Sequence, residues 1–490
     1  MVGLEHDDGD IGLSGFSQYR NYDGLGIAQL IRGREVTARE VLEAAIGAAE
    51  TVNPHVNALS QKLYDLGLAT ISQVDSSAPF AGVPFLLKDV SAMLKGARTT
   101  QGSRFFADAP PATADTTLVE RFKQAGVIIF GKTTTPELGI APSTETSLTG
   151  ATRNPWNLSL TAGGSSGGAA AAVATGIAPL VHGSDGGGSI RIPSSCCGLF
   201  GLKPTRARTP SGPLVGEGWG GLSVHHVLSR SVRDSAAMLD ATEGPADGDP
   251  YEVQRPKRPY LEEVSTPPGN LKIAMQKRPL SGAAVALECE GALEDTGRLL
   301  ETLGHEVEEA QPSADWDELS HALWVLVASN VSLSLKRHAS ELGRPISPDD
   351  VDRVTWNSIE FSSTLDVEAY PAALASLHRQ SRRMAAFHKV YDLVVSPTLA
   401  KPPVPLGVLR TDNDDLEAYR RELVAFMPFT QLFNMTGQPS MTVPLYWSAA
   451  NVPIGVMFSA PFGGEATLFR IAGQLEAARP WFHRVPSPPQ

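Results

Sequence analysis

Cysteine is scarce in this chain: three in 490 residues, with Cys196 and Cys197 adjacent and Cys289 alone. An odd count with an adjacent pair cannot staple a fold, so no disulfide framework is expected and a reducing, cytoplasmic setting is. Long apolar runs are missing as well. The most apolar stretch, Gly168 to Val181, is too short and too rich in glycine and alanine to span a bilayer. The acidic segment from Met1 to Asp10 lacks the apolar core of a signal peptide. Positive charge is in deficit, with 41 Lys and Arg against 53 Asp and Glu, a formal net charge of −12 and no basic block. That balance argues against a nucleic-acid partner. There is no His-Glu-x-x-His and no Cys/His spacing suited to zinc, so neither a metal nor an organic cofactor is expected.

What the chain does have is apolar bulk. Hydrophobic residues make up 42% of it, enough for a large core. Helical spacing predicts helices over 24–31, ended by Gly33, and after Thr37 as a cap, then over 118–125, 167–176 and 231–242. Short apolar runs predict strands over 82–87, 127–130, 180–181, 271–275, 391–396 and 441–445. Strands alternating with helices imply an α/β fold with much parallel sheet. Residues 1–490 read as one domain, with about 245–390 as a peripheral helical region and 1–20 as a frayed end.

Three runs carry chemistry. In Asp185-Gly186-Gly187-Gly188-Ser189-Ile190-Arg191 a glycine triplet runs into a hydroxyl. Glycines tolerate the backbone turns that aim several N–H groups at one point, which an oxyanion needs. A glycine triplet alone also reads as a surface loop, but apolar flanks with Arg191 and Pro193 favour a buried, rigid one. Gly163 to Gly168 surrounds Ser165 and Ser166 with glycine at a helix start. It reads as an anion site, as a helix cap, or as the G-x-S-x-G elbow of α/β-hydrolases, for which no histidine stands in a telling context. Lys88 ends an apolar strand. It is either a solvated strand end, which the residues alone favour, or a buried base. At pH 7 only about one lysine in 2,500 is neutral in water, so a basic role needs desolvation. Gly126 to Thr133 matches the Walker A pattern formally, but Val-Ile-Ile-Phe fills its centre. That is a strand, and no phosphate cradle is expected.

These residues resemble the amidase signature family. Gly-Gly-Ser-Ser-Gly-Gly and Asp-x-Gly-Gly-Ser-Ile-Arg occur in order, with Ser165 and Ser189 at the family's spacing of 24 residues, and Lys88 lies in a Gly-Val-Pro-x-x-x-Lys-Asp run. Asn154-Pro155-Trp156-Asn157, Gly201-Leu202-Lys203-Pro204-Thr205 and Asn434-Met435-Thr436-Gly437-Gln438-Pro439 agree. The resemblance spans roughly residues 25–480. Ala151 to Asn157, Ser229 to Asp234 and Gly343-Arg344-Pro345 are similar to the nylon-oligomer amidases of that family, the 6-aminohexanoate cyclic dimer hydrolases. Gly186 stands where the family often has Thr, Ile or Ala, which should loosen one oxyanion donor. Thr134 stands where Asn is common.

The resemblance implies a mixed, mostly parallel central sheet covered by helices on both faces. It implies that Ser189 is the nucleophile, that Ser165, after a cis peptide, relays the proton, and that neutral Lys88 is the base. Gly186, Gly187 and Gly188 would supply the oxyanion hole, and Ser166, Asp185 and Arg191 would support it. The expected reaction is hydrolysis of an apolar amide through an acyl-enzyme, with ester and carbamate (urethane) cleavage by the same route. The partner is then a small amide, ester or carbamate, with no nucleic acid and no membrane; a homodimer is compatible with the resemblance. A glutamine-amidotransferase subunit of a tRNA-charging complex is the competing reading. A silent binding protein is argued against by intact Lys88, Ser165 and Ser189. Trp219, Leu214, Ile140, Asn330 and Phe433 are candidate pocket walls that read equally as core.

Overall fold

The structure is a computed structural model that describes Phe16 and residues 18–487. The frayed end expected for 1–20 lies mostly outside the described residues; within them, Tyr19–Asn21 forms a 3-10 turn, with Tyr19 buried and its hydroxyl donating to Ile177 O.

Two sheets organise the chain. The smaller contains β1 (Leu59–Lys62), β2 (Pro84–Lys88) and β3 (Ile128–Thr133) in the order β1-β3-β2, with β2 and β3 parallel. The larger contains β4 (Leu180–Asp185), β5 (Phe200–Lys203), β6 (Val224–Ser229), β7 (Lys272–Met275), β8 (Glu306–Glu309), β9 (Leu393–Pro397), β10 (Ser440–Trp447) and β11 (Pro453–Ser459). Its order is β8-β7-β9-β11-β10-β5-β6-β4. The segment with the formal Walker A match is buried strand β3 from Ile128 onward.

The sheet is mixed, but the expectation that it is mostly parallel is corrected. Only β7–β8 and β7–β9 pair in parallel; every other neighbouring pair in the large sheet is antiparallel. The reason is local. The strand–helix–strand unit from β4 to β5 does keep its two strands in one direction, but β6 returns between them and pairs antiparallel with both. A short turn between β10 and β11 adds another antiparallel pair.

Helices cover the sheet: α1 (Ala38–Val56), α2 (Gly167–Ala174), α3 (Arg191–Cys197), α4 (Val232–Thr242), α5 (Leu287–Thr302), α6 (Trp316–Glu341), α7 (Ala369–Phe387) and α8 (Glu465–Ala478). The first of these shows how sequence sets a boundary. Thr37 and Glu40 form a reciprocal capping box, worth about 1 kcal/mol, and Val41, Leu42, Ala45, Ala49 and Val52 give one buried stripe. Asn57, at φ 53, turns the chain out of the helix. One core cluster joins α1, α2 and α3; a second joins α5, α6 and α8. The region 245–390 is more than helices, because β7 and β8 extend the large sheet at one edge. In β8, Glu306, Glu308 and Glu309 surround a single Val307, so no apolar run marks it, and the charges discourage further pairing at that edge. The three cysteines are free and buried. No helix among the described residues is long and apolar enough to cross a membrane.

The far edge of the large sheet matters most. There β4 lies against β2, which brings the strand end carrying Lys88 to the strand end that opens into the glycine loop.

Candidate active site

Lys88 is fully buried at the end of β2. Its Nζ donates to Ser165 Oγ at 2.6 Å, to Ser184 Oγ at 3.1 Å and to Ser184 O at 3.4 Å. The solvated alternative is therefore excluded. Burial pushes the amine down to about 7, with the Asp185 charge acting in the opposite direction. Burial thus moves this lysine toward its free-base form.

Ser165 follows a cis Gly164–Ser165 peptide and is buried. Neither serine of the run acts as a helix cap: Ser166 precedes α2 without a capping hydrogen bond, and its hydroxyl donates to Ser184 O at 3.3 Å. Ser166 N donates to Ser189 O at 3.2 Å, which ties the two glycine-rich loops together. The hydrogen-bond partner of Ser165 is a lysine, so the elbow reading, which requires a histidine, does not fit.

Asp185 grips the second loop from below. Its carboxylate accepts from Gly188 N at 2.7 Å, Ile190 N at 3.1 Å and Asn434 Nδ2 at 2.9 Å. It also makes a two-pronged ion pair with Arg191, both bonds at 3.0 Å, with neither side chain exposed. Arg191 continues to Thr430 O, Ser440 Oγ and Asn434 Oδ1. Burial works to raise the Asp185 carboxyl, but the Arg191 charge and these hydrogen bonds hold it well below the usual carboxylate range. Asp185 and Arg191 thus tie the loop together, and Asn434 and Thr430 join them in that network.

Gly188 departs from expectation. Its N–H is given to Asp185, so it braces the loop and is not available as an oxyanion donor. Its φ of 137° and a would-be Cβ only 2.5 Å from Thr430 Oγ1 make glycine necessary there. Gly186, Gly187 and Ser189 line the cleft, and among the described residues their N–H groups have no protein acceptor. A Cβ on Gly186 would lie 2.8 Å from the Trp219 indole, so its missing side chain is the space that the ring occupies. Thr134 is structural, bonded to Thr152 Oγ1 at 2.6 Å beneath the end of α1.

Sequence reasoning missed a histidine pair. Lys88 N donates to His182 Nδ1 at 3.2 Å, which places the His182 proton on Nε2, 3.1 Å from His225 Nδ1. His225 therefore carries its own proton on Nε2. Burial keeps both rings neutral, with His225 pushed down to about 4. His225 faces Ser184 across the β6–β4 ladder, so Ser184, His182 and His225 share one face toward Lys88. The available signal was the alternation His182-x-Ser184 in a buried strand.

Ser165, Ser184, Ser189 and His225 open onto a cleft of about 500 Å³, whose walls include Leu214, Trp219 and Asn330. A second chamber of about 60 Å³ meets it at Ser189 and is lined by Ile140, Trp219, Leu323, Trp324, Val327 and Met427. Phe433 lines neither; it is core. Such an arrangement has what acyl transfer needs: an accessible hydroxyl, a buried amine near its free-base form, and unpaired N–H donors.

The brace gives a prediction. Asp185→Asn leaves Arg191 buried and unpaired, and should cost about 3–5 kcal/mol, read as a lower urea midpoint. A carboxyl whose folded pKa is depressed stabilises fully above the unfolded value of about 3.9 and loses that contribution as pH falls through the folded one. The wild-type advantage over Asp185→Asn should therefore shrink in acid. Equal midpoints at pH 7 would show that the pair is not holding the loop.

The amidase family model matches residues 40–469. The chain is 36% identical over 476 residues to the 6-aminohexanoate-cyclic-dimer hydrolase of Pseudomonas sp. (strain NK87), covering 95% of this chain and 96% of that one. A solved structure of 6-aminohexanoate cyclic dimer hydrolase superposes with a TM-score of 0.90 at 35% identity, over 96% of this chain and 99% of the other. A bacterial aryl acylamidase of the amidase signature family superposes with a TM-score of 0.86 at 26% identity, again over 96% and 99%. With the motifs in order, the fold shared end to end and the family model spanning most of its length, this chain belongs to the amidase signature family.

Proposed function

We propose that this protein hydrolyses small apolar amides through an acyl-enzyme on Ser189, with Ser165 as proton relay and Lys88 as base. One observation carries the reading: the buried Lys88 amine, brought to about 7, is hydrogen-bonded at 2.6 Å to Ser165 beside an accessible Ser189. Neutral Lys88 takes the Ser165 proton as Ser165 takes that of Ser189. The Ser189 oxygen attacks the carbonyl carbon, and the N–H groups of Gly186, Gly187 and Ser189 receive the oxyanion. Collapse expels the amine, protonated back through Ser165, and leaves an ester on Ser189. Water then enters by the same relay in reverse and releases the acid.

A carbamate or an ester presents the same carbonyl to the same donors, so both belong to the proposed range. The relatives named for 6-aminohexanoate cyclic dimer hydrolysis support amide C–N cleavage as the main activity. The test is a panel of purified-enzyme rates on an anilide, a linear and a cyclic aminohexanoate amide, an aryl ester, an aryl carbamate and glutamine. The anilide should lead, and the aminohexanoate amides should exceed glutamine. Glutamine should trail, because its charged α-groups lose hydration beside apolar walls at a cost of about 1–3 kcal/mol or more. If glutamine leads, the amidotransferase reading replaces this one.

A further inference from the structure

We infer that Trp219 divides the active site into a small acyl chamber and a large amine chamber, and so selects amides with a short apolar acyl group. The inference rests on the amidase reading above. Trp219 lines both cavities, and with Gly139, Gly186 and Ser189 it marks their junction. The wall is built. Gly218 and Ser223 bridge across a tight turn, with Gly221 N and Ser223 N both donating to Gly218 O, and Trp219 sits at its tip with φ 54°. The indole then lies over Gly186, where any Cβ would strike it at 2.8 Å.

Proton transfer sets which half of the substrate goes where. The leaving nitrogen must receive a proton from Ser165, and Ser165 and Ser184 open only into the large cavity. The amine half therefore points there, where His225, Asn330 and Arg337 supply polar contacts. Bond geometry at the carbonyl sends the acyl half the other way, past Gly187 into the chamber of about 60 Å³. Taking roughly 10–15 Å³ for each water-sized group, that chamber of about 60 Å³ holds on the order of four to six heavy atoms. Its lining of Ile140, Leu323, Trp324, Val327 and Met427 has no charged side chain to greet a carboxylate.

The experiment uses the full-length enzyme and two series of anilides. One varies the acyl group from acetyl through butyryl to octanoyl on a constant p-nitroaniline. The other keeps butyryl and enlarges the aryl amine. In the wild type, kcat/KM should peak at the short acyl groups and fall about tenfold or more for octanoyl, while enlarging the amine has a smaller effect. Trp219→Ala should raise the octanoyl-to-butyryl ratio about tenfold or more, and Trp219→Phe should fall between. The ratio reads selectivity, which loss of folded protein does not change. A steep amine series with a flat acyl series would reverse the orientation and overturn the inference. An unchanged ratio in both Trp219 variants would overturn the role of the indole. If no anilide of either series is hydrolysed, the amidase reading itself fails.

Discussion

Ser189→Ala should lower kcat/KM on a p-nitroanilide by about 10⁴–10⁶-fold and leave the fold intact. The size of the loss follows from the position of the hydroxyl. Ser189 is the most exposed of the three residues of the proposed relay; Ser165 touches the same cleft but, like Lys88, is buried. Removing Oγ removes the bond-forming atom of the proposed reaction, whereas the loop stays gripped by Asp185, Arg191, Asn434 and Thr430. Circular dichroism and the thermal midpoint should therefore match the wild type. A folded Ser189→Ala enzyme with near-normal turnover would remove Ser189 from the chemistry.

The second large effect concerns proton transfer. Because the proposed relay needs a neutral Lys88, kcat/KM should rise with pH, tenfold per unit below about 7, and level off above it. The direction follows from the sign of the shift: burial lowers the amine, and the deprotonated, active fraction grows as pH passes that value. Lys88→Ala should lose about 10²–10⁴-fold and the limb with it. Lys203 is also brought down to about 7 by burial, and Glu137 is brought up to about 7 by burial and by Asp352. They are the controls. Lys203→Met and Glu137→Gln should keep the limb; its disappearance in either, with Lys88 intact, would move the titration away from the relay.

The residues of the proposed chemistry could be singled out in the sequence because they lie in local motifs. Each glycine run holds its own hydroxyl, and a fixed spacing of 24 residues separates Ser165 from Ser189. Helix ends were legible for the same reason: Thr37 with Glu40, and Gly33 after the helix ending at Arg32, are nearest-neighbour signals. What could not be read was assembled from afar. Asn434 reaches Asp185 across 249 residues, and no pattern around Asn434 says which loop it braces. Ser184 and His225 are polar residues in strands buried along their whole length, and their partnership depends on register. Trp219 could be named as a wall or as core, but its placement over Gly186 depends on a turn set by residues 218–223. The same missing Cβ that suggested a slack donor proves to be the seat of an aromatic ring. Strand direction failed similarly, since the strand–helix–strand unit from β4 to β5 looks identical whether or not β6 lies between its strands.

The central claim is that one serine carries the acyl group and another only passes the proton. The measurement that tests it most directly is the address of a covalent adduct. The enzyme is treated with an alkyl fluorophosphonate, digested, and mapped by mass spectrometry. The account predicts a single adduct on the peptide containing Ser189, absent from Ser189→Ala and formed much more slowly in Lys88→Ala. An adduct on Ser165 with Ser189 unmodified would contradict it.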